Sequence, residues 1–595
     1  MVRSNAWAPR ALAVGAAVVL LLAACGGTST SPSAGASSGA SSAPSAAGHK
    51  GGTIYVLTHA TQFDQVDPQR VYTGEDLAFF SGTVMRSLEA YVFSPDAAKG
   101  TSLTPDLATD LGTASNGGKT WAFTLRDGVT FQTGDPITCA DIKYGVSRTF
   151  ATDIINQGPT YAIAYLDIGS DAKGNSLYPG PYKATADQQA LFDKAIDCSA
   201  DGKTITFHLN KPVADFNYTV TLGFSPVPKA ADTGETYGQP GHLIVASGPY
   251  MVESYATGNG GKMILVRNPK WSAASDPYRP AYPDKWEVDF GIDTKVIDQR
   301  IIQSSGNDNF ALQYGQVQPE NLAVVFKDAN TATDQFQGRA ISGFDPYSRY
   351  YWINTTKITN VKIRQAMAVA LDRAAIRLNI GGAFAGEFAD GFIKPNIGAD
   401  YAPTGFWTAT GPFGQAVPDS GDPVLAKKLI ADSGVAAPAL TFDFPDTPTN
   451  NKTAAIVISS FAKAGMTVKP NPIPSGSYYS TVFTSPHDFG TGGWGADWPN
   501  ASTVVPPLFT VKGGWDLSKI DDADFNAKVE TAQTTLDRTT QETLWQALNK
   551  TAAEQVWAIP TFFGLSQTIA GKKVAPAYRW SAYGSWPYGA MYTLP

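Results

Sequence analysis

The sequence predicts an α/β protein built from several helix-covered sheets, and three observations carry that prediction. First, Leu440–Phe444 reads as a strand, 451–464 as a helix bearing Ile456, Ile458 and Phe461, and Met466–Val468 as the start of another strand. Such a βαβ unit implies a parallel strand pair joined by a right-handed crossover. Second, Gly118–Leu125 and Gly202–Leu209 each show a turn followed by strict apolar alternation. Trp121, Phe123 and Leu125 then share one strand face, as do Ile205, Phe207 and Leu209, which suits two strands of one sheet. Third, the stretch from Gly51 to Pro595 is too long for one hydrophobic core and calls for two or three domains.

The remaining elements follow in chain order. Arg3 and Arg10 precede an uncharged Ala/Val/Leu run from Ala11 to Ala24, a length suited to a signal peptide and too short for a stop-transfer helix. The run ends in Leu22-Ala-Ala-Cys25-Gly26, which resembles the lipobox of bacterial lipoproteins. That resemblance implies cleavage before Cys25 and diacylation of its sulfur, so that lipid is the anchor. Residues 25–50 comprise Cys25 and then a stretch that is almost entirely Gly, Ser, Thr, Ala and Pro with almost no charge, the composition of a disordered tether reaching about 25–30 Å. Thr53–Leu57 reads as a strand. Thr73-Gly-Glu-Asp76 reads as a helix start, with Leu77, Phe80, Val84 and Leu88 at helical spacing forming one buried stripe. Further along, Thr359-Asn360 suits the cap of a helix carrying Ile363, Met367, Ala370 and Leu371. Asp422-Pro423 pairs an N-cap with proline at the first helical position, and Gly434 suits that helix's end.

Composition narrows the function. The chain carries 45 basic and 52 acidic residues, and removal of Arg3 and Arg10 with a signal peptide makes it more acidic. No basic stripe appears, which argues against a nucleic-acid partner. Five histidines lie far apart with no ligand spacing, so neither a metal site nor a cofactor is expected. Cys139 and Cys198 remain once Cys25 is lipidated. In an oxidising compartment they form either a bridge, closing a loop of about 60 residues worth roughly 4 kcal/mol, or two buried thiols. Gly35-Ala-Ser-Ser-Gly39 matches a nucleophile elbow but lies in the tether. Ser460-Phe-Ala-Lys463 falls late in a helix without companion motifs. No catalytic residue is assigned, and the chain is expected not to be an enzyme.

The most informative stretch is Gly492-Gly-Trp-Gly-Ala-Asp-Trp-Pro-Asn500. Glycines admit a ligand close to the backbone, tryptophans can wall a pocket, and Asp497 between them can pair with a ligand cation where water is excluded. A tight turn with core tryptophans and a capping aspartate fits the same residues.

Several blocks resemble the extracytoplasmic solute-binding proteins of ABC importers, peptide/nickel class. They are Ser102–Ala108 with Trp121–Ile142, Ser247–Tyr250 with Leu265–Lys270, and Trp352–Asn354 with Ile363–Arg373. Their order matches the family through essentially all of 51–595. The resemblance implies a three-region periplasmic-binding-protein-like fold of class II, the large peptide-binding type, whose two lobes close on a hinge. Domain I would comprise 51–94, 225–340 and 556–595, domain II 95–224, and domain III 341–555. It also implies that Asp497, in Trp494-Gly-Ala-Asp497, takes the α-ammonium of a peptide, with Gly493 and Trp494 as backbone and wall contacts. Oligopeptide-binding members can carry an arginine three residues before that tryptophan, for the peptide carboxylate; here the position is Thr491. A cysteine pair found in some members is missing from the neighbourhood of Ser348, Arg349 and Gly495. The expected role is a monomeric, lipid-anchored subunit on the outer face of the cell membrane. It would capture short peptides and deliver them to a permease and ATPase on other chains. An oligosaccharide, opine or chelated metal is the alternative cargo. A secreted hydrolase is the alternative from another class.

Overall fold

A computed structural model of the chain describes residues 48–510 and 513–595; Cys25, the signal segment and nearly all of the tether lie outside them. Three sheets dominate the described residues. One has five strands in the order Ala311–Gln313, Thr53–Leu57, Lys285–Asp289, Lys262–Arg267 and Tyr250–Tyr255, the first three mutually parallel. The second has four, with Thr120–Thr124 paired antiparallel to Thr204–His208 so that Trp121 faces Phe207 and Phe123 faces Ile205. The expected alternation is therefore real, and those four side chains form one core with Ile142 and Val146 of the Cys139–Arg148 helix.

The third sheet carries six strands in the order Gly386–Phe388, Ala558–Ile569, Ala340–Ile353, Phe489–Gly495, Ala439–Asp446 and Thr467–Pro474. Ala558–Ile569 is buried along its whole length, which suits a strand made of apolar and small residues apart from Gln567. Ala439–Asp446 and Thr467–Pro474 are parallel and joined by the Pro448–Lys463 helix, the predicted βαβ unit. The caps also fall where the sequence put them. Asn360 accepts from Lys362 N, and Asp422 accepts from Val424 N and Leu425 N with Gly434 left-handed at the other end.

Two predicted faces need correction. The Gly74–Thr83 helix ends before Val84 and Leu88, and Leu77 is only half-buried, whereas Ala78, Phe79 and Phe80 are fully buried. The helix is buried on several sides, so a single-stripe reading fails. In the Pro448–Lys463 helix the fully buried positions include Ala454, Val457 and Phe461, while Ile456 and Ile458 are half-buried at the edge of the core. Ser460 is tied into the fold: its hydroxyl donates to Ile456 O at 2.8 Å and accepts from Asp372 N.

Cys139 and Cys198 are bonded, with Cα atoms 5.7 Å apart across a separation of 59 residues. The bridge ties the start of a helix to the edge strand of the four-stranded sheet.

The blocks that carried the family resemblance turn out to be structural joints. Asp106 pairs with Arg86 at 2.7 Å and with Arg279 at 2.7 Å, and Asp276 contacts both arginines; all four side chains are essentially inaccessible. Asn268 donates to Gly248 O at 2.9 Å, stitching 247–250 to 265–270. Arg364 donates to the carbonyls of Ile358, Thr359, Gln555 and Val556, locking the start of the Val361–Ala370 helix against the end of the Arg538–Glu554 helix.

Candidate functional site

The site grows from the pairing of Ala340–Ile353 with Phe489–Gly495. Their antiparallel register sets Tyr351 against Thr491, Arg349 against Gly493 and Tyr347 against Gly495. Glycines at 490 and 492 are required by the neighbouring strand. A Cβ there would meet the ring of Trp352 at 2.4 Å and that of Tyr350 at 2.4 Å. Gly493 is different: the nearest atom to a Cβ would be Tyr479 Oη at 3.7 Å, so space lies open above it.

Past Gly490 the strand parts from Ala439–Asp446, whose pairing with it covers only Phe442–Phe489 and Asp443–Gly490. Thr491–Gly495 thus has a backbone edge without a strand partner. Two side chains cap its carbonyls: Tyr478 Oη donates to Thr491 O at 2.6 Å, and Trp515 Nε1 to Gly493 O at 3.1 Å. An aromatic wall stands beside it, with Trp494 and Trp515 centred 5.1 Å apart and Tyr479 4.8 Å from Trp515.

These residues border a cavity of about 930 Å³, at the upper end of the usual range for small-ligand pockets. Gly493, Trp494 and Thr491 line it; Asp497 does not. Most of the wall is apolar, aromatic or amide, and Arg349 is the one charged side chain among the described residues that line it.

Asp497 lies two residues beyond Gly495. Tyr72 donates to its Oδ1 at 2.7 Å, and Tyr161 donates to its Oδ2. Among the described residues no lysine or arginine acts on it. Burial raises its pKa above the ordinary 3.8, and the hydrogen bonds from Tyr161 and Tyr72 only partly oppose this. Burial and the neighbouring carboxylate push both phenols up in turn, so they remain donors. The segment after Asp497 is rigidly held. Trp498 Nε1 donates to the buried Asp215 at 2.8 Å and its ring packs edge-on to Tyr161 at 4.6 Å. Ala501 N donates to Asp400, which pairs with Arg538 at 2.7 Å. The result is a preorganised carboxylate, two of its lone pairs filled by neutral donors and its charge unmatched by any cation among the described residues.

Of the residues singled out from sequence, Gly493 and Trp494 lie on the strand that lines the cavity, Asp497 lies two residues past that strand's end and outside the lining, and Cys139 and Cys198 belong to the four-stranded sheet region. Sequence reasoning missed Tyr72, Tyr161, Trp515 and the position of Arg349 inside the cavity. Tyr72 and Tyr161 lie 425 and 336 residues from Asp497 along the chain, and no local spacing signals either.

Comparison with known proteins agrees in extent and fold. The family model described as bacterial extracellular solute-binding proteins, family 5 Middle, matches residues 102–516. The periplasmic murein peptide-binding protein MppA of Escherichia coli K12 is 23% identical over 488 residues, 80% of this chain and 81% of that protein. The periplasmic oligopeptide-binding protein OppA of Salmonella typhimurium LT2 is 25% identical over 415 residues, 66% of this chain and 67% of that protein. Among solved structures, the clavulanic acid biosynthesis oligopeptide binding protein 2 superposes with a TM-score of 0.81 at 26% identity, covering 92% of this chain and 96% of that one.

Proposed function

The chain belongs to the bacterial extracellular solute-binding proteins of family 5, and from that premise we propose that it is the lipid-anchored substrate-binding subunit of an ABC importer, capturing short peptides through Asp497. The observation that carries this reading is the unmatched carboxylate. A buried charge that the protein leaves unpaired is costly, and a ligand ammonium supplies the missing partner. Relatives named as murein peptide- and oligopeptide-binding proteins support the cargo class. Gly493 and Trp494 offer backbone edge and wall, so that an extended peptide lies along Thr491–Gly495 like an added strand. Closure would bring the regions 51–94, 225–340 and 556–595 against 341–555, with 95–224 as a third domain. The chain acts as a monomer, does no covalent chemistry, and hands its cargo to membrane and ATPase subunits on other chains.

The anchor is assigned to Cys25. Changing Cys25→Ala is expected to release the protein into the medium or leave it as full-length precursor, read by fractionation and intact mass. Wild-type processing with retention in the detergent phase would reject the assignment.

Binding itself is tested by calorimetric titration with tripeptides bearing a free α-amine. The sign of its pH dependence follows from Asp497. The carboxyl gives up its proton above the ordinary 3.8, and an ammonium binds the ionised form. Affinity therefore falls as pH drops through that raised pKa, and binding in this window releases a proton. Titrations in two buffers of different ionisation enthalpy measure the release. Peptide affinity independent of pH from 7 down to 4 would contradict an Asp497 anchor.

A further inference from the structure

The carboxylate of Asp497 is held from distant parts of the chain. Tyr161, which donates to its Oδ2, packs its ring edge-on to Trp498 at 4.6 Å. Trp498 in turn donates from Nε1 to Asp215 Oδ2 at 2.8 Å, and the Ser502 hydroxyl donates to the same oxygen. Asp215 stands at the N-cap position of the Phe216–Thr219 helix, yet its side chain makes no capping bond. An aspartate there ordinarily caps its own helix; this one reaches a partner 283 residues along the chain. Its carboxylate is buried, and among the described residues no cation pairs with it directly, Arg538 acting from farther off. The neutral donors of Trp498 and Ser502 therefore meet a need that a buried carboxylate always has. Beside it, Ala214 N donates to Gln533 O at 3.1 Å. Trp498 is 2% exposed and belongs to the core around the five-stranded sheet, not to that of the six-stranded sheet whose strand precedes it. Contacts thus run unbroken from Asp215 through Trp498 and Tyr161 to Asp497.

Resting on the peptide reading above, we infer that Asp215 is a positioning residue for the cargo's α-ammonium: by seating Trp498 it fixes Tyr161 and the carboxylate of Asp497, so that the region 95–224 sets how tightly the amine is held. Asp215 itself touches no ligand. Its leverage is preorganisation. A carboxylate already fixed in place gives up little freedom when the ammonium arrives, whereas one held by Tyr72 alone must be ordered by the ligand. The chemistry at Asp215 also separates its variants. Trp498 and Ser502 converge on one oxygen, so an amide oxygen in that place accepts both bonds, while a methyl group accepts neither.

The test titrates trialanine and trileucine, each with a free and with an acetylated amine, into the wild type, Asp215→Ala, Asp215→Asn, Asp497→Asn and the Asp215→Ala, Asp497→Asn double variant, with a melting temperature recorded for each protein. Asp215→Ala is expected to weaken the free-amine peptides roughly 5- to 50-fold and to change the acetylated ones little, so that the preference for a free amine shrinks. Asp215→Asn should keep most of that preference. With Asp497 already replaced by asparagine, Asp215→Ala should cost little more, because it acts through the group that is gone. A folded Asp215→Ala that melts lower but prefers the free amine as strongly as the wild type marks Asp215 as purely structural and overturns the inference. Equal losses for both forms of peptide, or losses that add in the double variant, overturn it too. Should Asp215→Ala fail to fold, Trp498→Phe takes its place, keeping a ring in the socket while removing the donor, and the same outcomes decide. A free-amine preference that survives in Asp215→Ala leaves peptide capture at Asp497 standing and rejects Asp215 alone. A wild type that binds free and acetylated peptides equally, or binds neither, rejects the Asp497 reading and this inference with it.

Discussion

Replacing Asp497 by asparagine is expected to weaken binding of a free-amine peptide by about 2–5 kcal/mol, roughly thirtyfold to several thousandfold in Kd. The substitution keeps the shape and one phenol-donated hydrogen bond, with the new amide nitrogen donating to the other phenol's oxygen, but removes the charge. The ligand's ammonium is then buried without a counter-ion, and the measured cost is mainly that of stranding it. The free protein should be no less stable, because the carboxyl is destabilised by its own burial. With a pKa raised above 3.8, its charge weakens the fold as pH rises past that value, and asparagine carries no such penalty. An increase or no change in melting temperature at pH 7, together with a large loss of affinity, is the expected pair of results. A falling melting temperature with unchanged affinity would mark Asp497 as a structural residue.

The largest effect on stability is expected at Asp106. Its carboxylate joins Arg86 and Arg279 in a cluster from which water is excluded. Removing it leaves two buried guanidinium groups with Asp276 as their remaining carboxylate, at contacts of 3.7 and 3.2 Å. Asp106→Asn should therefore cost about 3–5 kcal/mol, read as a shift in the urea midpoint at unchanged slope. Burial alone would raise this carboxyl, but Arg279 and Arg86 outweigh it and hold the pKa below 3.8. A depressed pKa contributes stability above the unfolded value that is lost as pH falls through the folded one. The difference between wild type and variant should accordingly shrink in strong acid. A loss below 1 kcal/mol at pH 7 would show that the cluster tolerates the vacancy by admitting water or a counter-ion.

Asp106 also explains what sequence could reveal. It lies in Ser102–Ala108, a block that pointed to the family, yet its work is to join distant segments, since Arg279 lies 173 residues away. Elements governed by local chemistry were legible: the alternation of Thr120–Thr124 and Thr204–His208, the caps Asn360 and Asp422, and the parallel pair around the Pro448–Lys463 helix. Faces were less so. Periodicity assumes one buried side, whereas Gly74–Thr83 is packed on several, and Val457 rather than Ile456 or Ile458 points fully inward. At the site, glycines and tryptophans around Asp497 announced themselves by composition. Tyr72 and Tyr161 did not, because tertiary folding alone brings them to that carboxylate. Arg349 was visible only as an occupant of a position where some relatives carry cysteine; its place in the cavity depends on a strand register and on an irregularity at Asp345–Tyr347.

The central claim is that Asp497 and a peptide's α-ammonium form one contact. It is tested most directly by crossing two changes in calorimetric titrations, Asp497→Asn in the protein and N-acetylation in the peptide. Each alone should cost about 2–5 kcal/mol. Together they should cost little more than either, because both remove the same pair. Losses that simply add would mean that the carboxylate and the amine act at separate places, and would contradict the account.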